Sequence, residues 1–267
     1  MPRLARIRQR ATLGLPGRRL MRDADWLVPD WPAEGIGALM TTRAGGVSAA
    51  PFDSMNLRDG IGDDDAAVAR NRAIFSEAIG RPAVLLDQVH GVHVLRLSSA
   101  DVGAPLRQAD ASITTDRGMA CAVQVADCLP VLFAAPKARG VGAAHAGWRG
   151  LAGGVLEATV AALCDAADCA PHELVAWLGP CIGPAAFEVG ADVVTAFGGG
   201  AASCFAPRPQ MSKWLADLPA LARLRLRAAG INSISGGSWC TVTDASRFFS
   251  FRRERVTGRM VAAVWLI

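Results

Sequence analysis

The chain has 267 residues, 51% of them apolar and 19% charged, a balance that builds a large core and excludes a disordered polyelectrolyte. The formal charge of +4 misleads: residues 1–20 hold six arginines and no acid, and the rest carries 22 basic against 24 acidic side chains, so a nucleic-acid footprint is not expected. No stretch approaches the ~18–20 apolar residues of a membrane span, and seven irregularly spaced cysteines argue against a disulfide framework and for a reducing cytoplasm.

The arginine-rich start (Arg3, Arg6, Arg8, Arg10, Arg18, Arg19) is acid-poor, as presequences are. It equally fits a disordered tail or a start placed upstream of Met21. We expect 1–20 to be a disordered extension and 21–267 a single catalytic domain, ordered from about Trp26. Gly37–Thr42 reads as a strand running into the polar glycine turn Arg43-Ala44-Gly45-Gly46-Val47-Ser48. Asp63–Ile79 has helical periodicity with Asp63 or Asp64 as N-cap. Ala83–Val89 and Val92–Leu97 read as two strands meeting at His90-Gly91.

Three more apolar runs follow at Ala120–Ala126, Val131–Ala135 and Val141–Ala144, the last two joined by the hairpin signal Pro136–Gly140. Gly147–Gly154 leads into a helix from Leu156 to about Ala166, with Leu156, Val160 and Leu163 on one face. Leu174–Leu178 is a buried strand ending in Gly179-Pro180-Cys181-Ile182-Gly183. Leu218–Ala229 is a basic amphipathic helix stopped by Gly230, and strands at Ser238–Thr243 and Met260–Ile267 close the chain. Strands occur in paired runs as well as between helices, which predicts mixed sheets rather than a regular doubly wound fold.

His90, Cys128 and His145 each stand beside a strand-like run and before turn chemistry. Two imidazoles and a thiolate form a three-ligand zinc set with one position open, the mark of a catalytic rather than a structural zinc. The spacing alone is weak evidence. The surrounding words carry more: T-T-R-A-G-G-V-S, P-F-D-S-M-N-L, Q-V-H-G, A-D-C-L-P-V, A-A-H-A-G-W-R-G, L-G-P-C-I-G, F-E-V-G and F-F-S-F-R-R. In that order they resemble the YfiH family, also called laccase-domain or polyphenol oxidase proteins and read as zinc-dependent purine nucleoside phosphorylases. The matches run from about Trp26 to the C-terminus.

The resemblance implies a single four-layer α-β-β-α domain of the α+β type and a zinc held by His90, Cys128 and His145. It also implies phosphorolysis of adenosine, inosine, guanosine and methylthioadenosine, with adenosine deamination beside it. The usual tyrosine of S-Y-R-R is Phe251 here, and the chain has no tyrosine. A role for that hydroxyl is therefore lost, while stacking survives.

On chemical grounds the catalytic set is Cys128, His145, Asp127 and Arg43. A zinc-bound water attacking C6 of adenine needs a carboxylate to move protons, and Asp127 or Glu188 can supply it; Asp127 can instead orient a ligand imidazole. Phosphate calls for guanidinium forks: Arg43 in its glycine turn, Arg149 before a helix, or Arg252 with Arg253. Gln88, Trp148, Cys181 and Phe249 complete the candidate substrate contacts, whereas His93 and His172 read as surface residues.

Two other chemistries use the same residues. Copper is the alternative metal, since two His and a Cys also form a blue-copper set, yet four histidines cannot build a laccase's multinuclear cluster. A metal-free cysteine hydrolase acting on cell-wall precursors would use Cys128 as nucleophile and His145 as base. A zinc that only staples the fold is a further reading. The expected partners are purine nucleosides and inorganic phosphate, without nucleic acid or membrane, in a monomer or weak homo-oligomer.

Overall fold

The computed structural model describes residues 24–267, so the extension expected at 1–20 lies outside the described residues. A four-stranded sheet has the order β1 (Ile36–Met40), β13 (Met260–Leu266), β5 (Ala120–Val125), β2 (Ala83–Val84). A six-stranded sheet has the order β12 (Ser233–Gly236), β8 (Val175–Leu178), β6 (Leu129–Ala134), β7 (Val141–Ala146), β4 (Ala111–Thr114), β3 (Val94–Arg96). Both are mixed: β2–β5, β3–β4 and β8–β12 are parallel and the other ladders antiparallel.

Period-two alternation builds the layers. In β5, Cys121, Val123 and Val125 face the core between the sheets, with Leu132 and Ala134 of β6 and Val141 and Ala143 of β7. Ala120 and Ala122 face the other way, onto Phe75 and Ile79 of α1 (Asp65–Ile79). On the far side, Val131 and Phe133 of β6 meet Leu156, Val160 and Leu163 of α3 (Val155–Ala167) and Leu221 of α5 (Leu218–Ala228). The described residues thus form the α-β-β-α sandwich, and β5, β6, β7 and β13 are buried on both faces. Gly37 of β1 lies opposite Trp265 of β13, where a Cβ would come within 2.1 Å of the indole.

Several ends follow local chemistry. Asp64 caps α1, its side chain accepting from Ala66 N at 3.2 Å, and Gly80 ends it at φ 71°, a left-handed position open to glycine. Asp217 caps α5 through Ala220 N. Beyond the predicted elements stand α4 (Ala191–Phe197) and a small sheet of β10 (Phe205–Arg208), β11 (Lys213–Ala216) and β9 (Glu188–Val189). The strand expected at Ser238–Thr243 is displaced to β12, because Gly236 and Gly237 at φ 76° and 73° end the ladder; Cys240 keeps a single bridge to Cys181. Among the described residues no helix is long and apolar enough to cross a membrane.

Candidate metal and active site

Three chain turns meet at one end of the six-stranded sheet. His145 lies near the end of β7, Cys128 precedes β6, and His90 sits in the loop between β2 and β3. One ligand atom from each lies within 4.8 Å of the others, and Cys128 Sγ stands 3.8 Å from His90 Nε2. The two imidazoles meet edge to face at 4.8 Å. Gly147 opens α2 (Trp148–Gly153) against the cluster: a Cβ there would come within 2.8 Å of His90 Cδ2 and 3.0 Å of Cys128 Sγ. Glycine is required at that step of A-H-A-G-W-R-G.

The strands expected to run up to His90 stop short, at Val84 and again before Val94. Asp110 organises the turn between them. Its carboxylate accepts the backbone N–H groups of Val89, His90 and Gly91 at 3.2, 2.9 and 2.6 Å, taking the donors a ladder would need. His90 sits at φ 62°, a conformation costly for a residue with a Cβ, and these bonds hold it there. The same carboxylate accepts from His145 Nδ1 at 2.8 Å, and the Asp110 carbonyl accepts from His145 N. Asp110 is fully buried. Burial alone would raise its pKa, but the bonds from His145 and Gly91 hold it below the usual carboxylate range.

An ionised Asp110 fixes the tautomer of His145: Nδ1 carries the hydrogen and Nε2 faces the cluster. Burial alone would raise the Cys128 thiol, yet the charge and hydrogen bonds of His145 and His90 hold it down to about 6. Burial would likewise lower His145, but the Cys128 charge and Asp110 raise it to about 9. Each shift supports the other: His145 draws Cys128 toward the thiolate and Cys128 draws His145 toward the imidazolium.

Asp127 stands beside Cys128 at φ 89°, and its carboxylate turns away from both imidazoles. Oδ1 accepts from Thr241 Oγ1 and Oδ2 from Arg252 N, each at 2.6 Å. It ties the Cys128 turn to α6 (Phe251–Glu254). Of the two duties expected for Asp127, the imidazole-orienting one falls to Asp110, which the sequence reading missed. Its only signal was an acid flanked by small residues in A-D-A-S-I-T, since 35 positions separate it from His145. Glu188 meets Arg208 at 3.3 Å.

The arginines differ in how far they are committed. Arg43 donates to the carbonyls of Asp53 and Ala245 and pairs with Asp53 and Glu254, over the ring of buried Phe249. Arg252 donates to the Glu188 carbonyl. Arg149 is exposed and stacks on Trp148 at 4.4 Å, without a hydrogen bond or ion pair among the described residues. Gln88 is buried and exchanges bonds with the Gln124 backbone. Cys181 is buried, its thiol raised well above the ordinary range by burial and by the charge of Cys128. A cleft of about 330 Å³ opens on the far side of Cys240, lined by Trp239 and Arg223 among others. His93 is exposed and binds the Gln108 carbonyl.

The family described as multi-copper polyphenol oxidoreductase laccase matches residues 37–267. A purine nucleoside phosphorylase of Pseudomonas aeruginosa is 49% identical over 245 residues, spanning 90% of this chain and 98% of its own. Purine nucleoside phosphorylase YfiH of Escherichia coli is 46% identical, with the same shares covered. Among solved structures, a Neisseria meningitidis protein of the DUF152 group superposes with a TM-score of 0.85 at 46% identity, over 90% of this chain and 98% of that one. YlmD of Geobacillus stearothermophilus superposes with a TM-score of 0.82 at 34% identity, over 90% and 96%.

Proposed function

The chain belongs to the YfiH family, whose shared sequence pattern is described as multi-copper polyphenol oxidoreductase laccase, and on that premise we propose that it is a zinc-dependent purine nucleoside phosphorylase. The observation that carries the metal is the donor set. One thiolate and two imidazoles converge within 4.8 Å, and Asp110 leaves His145 Nε2 turned to the cluster. Tetrahedral zinc distances imply donor separations of roughly 3.5 Å, so a small closure suffices. A zinc there supplies a Lewis acid with an open fourth position.

The chain's own residues do the rest. His90, His145 and Cys128 would hold the metal, while Asp110 anchors the His90 loop through its backbone and the His145 ring through Nδ1. Trp148 and exposed Arg149, next to Gly147, offer a stacking face and an uncommitted guanidinium to a nucleoside. The substrates proposed are adenosine, inosine, guanosine and methylthioadenosine, cleaved by inorganic phosphate, with deamination of adenosine at the same metal. Copper chemistry of the laccase kind is not favoured. Among the described residues His90, Cys128 and His145 form the one cluster of metal-ligand type, and the chain has four histidines in all.

One observation favours a second reading. Cys128, His145 and Asp110 also make a thiolate, imidazolium and carboxylate in line, the constellation of a cysteine hydrolase. The two readings part on the metal. Elemental analysis of purified protein should find one zinc per chain and negligible copper. His90→Ala and Cys128→Ala should each abolish zinc retention and inosine cleavage while the far-UV circular dichroism stays unchanged. A Cys128→Ala protein that keeps its zinc rejects the ligand set. A chelated protein that is fully active selects the hydrolase.

A further inference from the structure

We propose that Arg58 and Arg259 form the seat of an anionic ligand, inorganic phosphate, beside the His90–Cys128–His145 cluster. Fully buried Asn56 brings the two arginines together: its Oδ1 accepts Arg58 N at 3.1 Å and Arg259 N at 2.9 Å. Leu57 N donates to the Arg259 carbonyl at 3.1 Å. Asn56 Nδ2 binds the Arg58 carbonyl and Asp63, which fixes the turn from the other side. The clamp continues into the metal scaffold. Gln124 donates to the Leu57 carbonyl and exchanges bonds with Gln88, two residues before His90.

Strand register places Arg259 at the same end of the molecule. Met260 pairs with Val125 at the end of β5, and the chain beyond Val125 runs through Ala126 and Asp127 to Cys128. Burial lowers the Arg259 pKa and repulsion by Arg58 lowers it further, while Cys128 and Asp127 pull it back up.

The unusual feature is two arginines joined through one buried Asn56, neither of them in a salt bridge among the described residues. Several other arginines meet acids: Arg43 meets Asp53, Arg72 meets Asp59 and Arg225 meets Glu157. Half-buried Arg58 has no side-chain hydrogen bond or ion pair among the described residues. Arg259 donates only to the Thr257 and Gly258 carbonyls and lies 5.7 Å from the exposed Phe251 ring. Like charges held near one another at half-buried positions repel unless an anion joins them, and paired guanidinium forks match a phosphate's oxygens. The identity of the anion rests on the phosphorylase reading; the cation pair does not.

The test uses the zinc-loaded full chain with Arg58→Gln and Arg259→Lys, read by calorimetric titration with inorganic phosphate and by steady-state kinetics. The phosphate Kd and the KM for phosphate should both rise about tenfold or more, with the KM for inosine and the melting temperature of Arg58→Gln unchanged. Phosphate affinity within about twofold of wild type in both variants overturns the seat, as does a wild-type protein that binds no phosphate. A wild-type protein that makes no ribose 1-phosphate but binds phosphate, and loses it in Arg58→Gln, keeps the seat and rejects the phosphorylase.

Discussion

Asp110 and Asp127 are both buried acids tied to the turns that carry the ligands, and they do opposite work. Asp110 gathers three backbone N–H groups of the His90 loop and the His145 ring, so one carboxylate assembles two of the three residues that could hold a metal. Asp127, next to the third ligand in sequence, spends its oxygens on Thr241 and the Arg252 backbone and braces the C-terminal segment. The contrast teaches that nearness along the chain did not decide which acid anchors the His90 loop and the His145 ring. What decided it was which acid had donors left facing it once the sheets were formed.

Metal affinity should separate the two acids most sharply. Asp110→Asn exchanges a carboxylate oxygen for an N–H facing its donors, and loss of such an outer partner costs about 10–100-fold in metal affinity. Asp127→Asn should stay within about threefold of wild type, because its contacts lie with α6. Chelator competition measures both, and equal losses would break the comparison.

The pH dependence sharpens it. Between about 6 and about 9 the metal-free site holds an ionised Cys128 and a protonated His145, so binding expels one proton. Zinc affinity should climb about tenfold per pH unit across that window. It should steepen below about 6, where the thiol is protonated too, and level off above about 9. Asp110→Asn removes one of the groups that raise His145, so its upper break should move to lower pH. An unmoved break would mean that Cys128 alone sets the imidazole's proton. Alkylation of the metal-free protein followed by mass spectrometry should find Cys128 reacting with an apparent pKa near 6, while buried Cys181 stays inert.

The smallest effect belongs to stability. With one of its two short bonds compromised, Asp127→Asn should lose about 1–3 kcal/mol, lowering the melting temperature by roughly 2–8 °C. Thr241→Val should reproduce part of that loss and leave zinc affinity alone.

That His90, Cys128 and His145 come together was legible from the words around them, and most strands of the two large sheets from local pattern. Apolar runs bounded by turn residues gave β1, β5, β6, β7, β8 and β13, and the hairpin at Pro136–Gly140 pairs β6 with β7. Helix α1 announced itself through Asp64 and its periodicity. What stayed hidden is non-local. The turn at His90 depends on Asp110 taking the N–H groups of Val89, His90 and Gly91 from about twenty positions away. The pairing of Arg58 with Arg259 depends on Asn56 reaching across 203 positions. Arg43 looked free in its glycine turn, and only tertiary structure brings Asp53 and Glu254 to it.

Metal-dependent phosphorolysis at the His90–Cys128–His145 site is tested most directly by its products. Inosine and inorganic phosphate should be incubated with zinc-loaded, chelated and Cys128→Ala protein, and ribose 1-phosphate quantified against hypoxanthine. The account predicts equal amounts of the two products from the zinc-loaded protein, neither from the other two, and full recovery when zinc is returned to the chelated sample. Hypoxanthine released with free ribose, or equal turnover in the chelated protein, would contradict it.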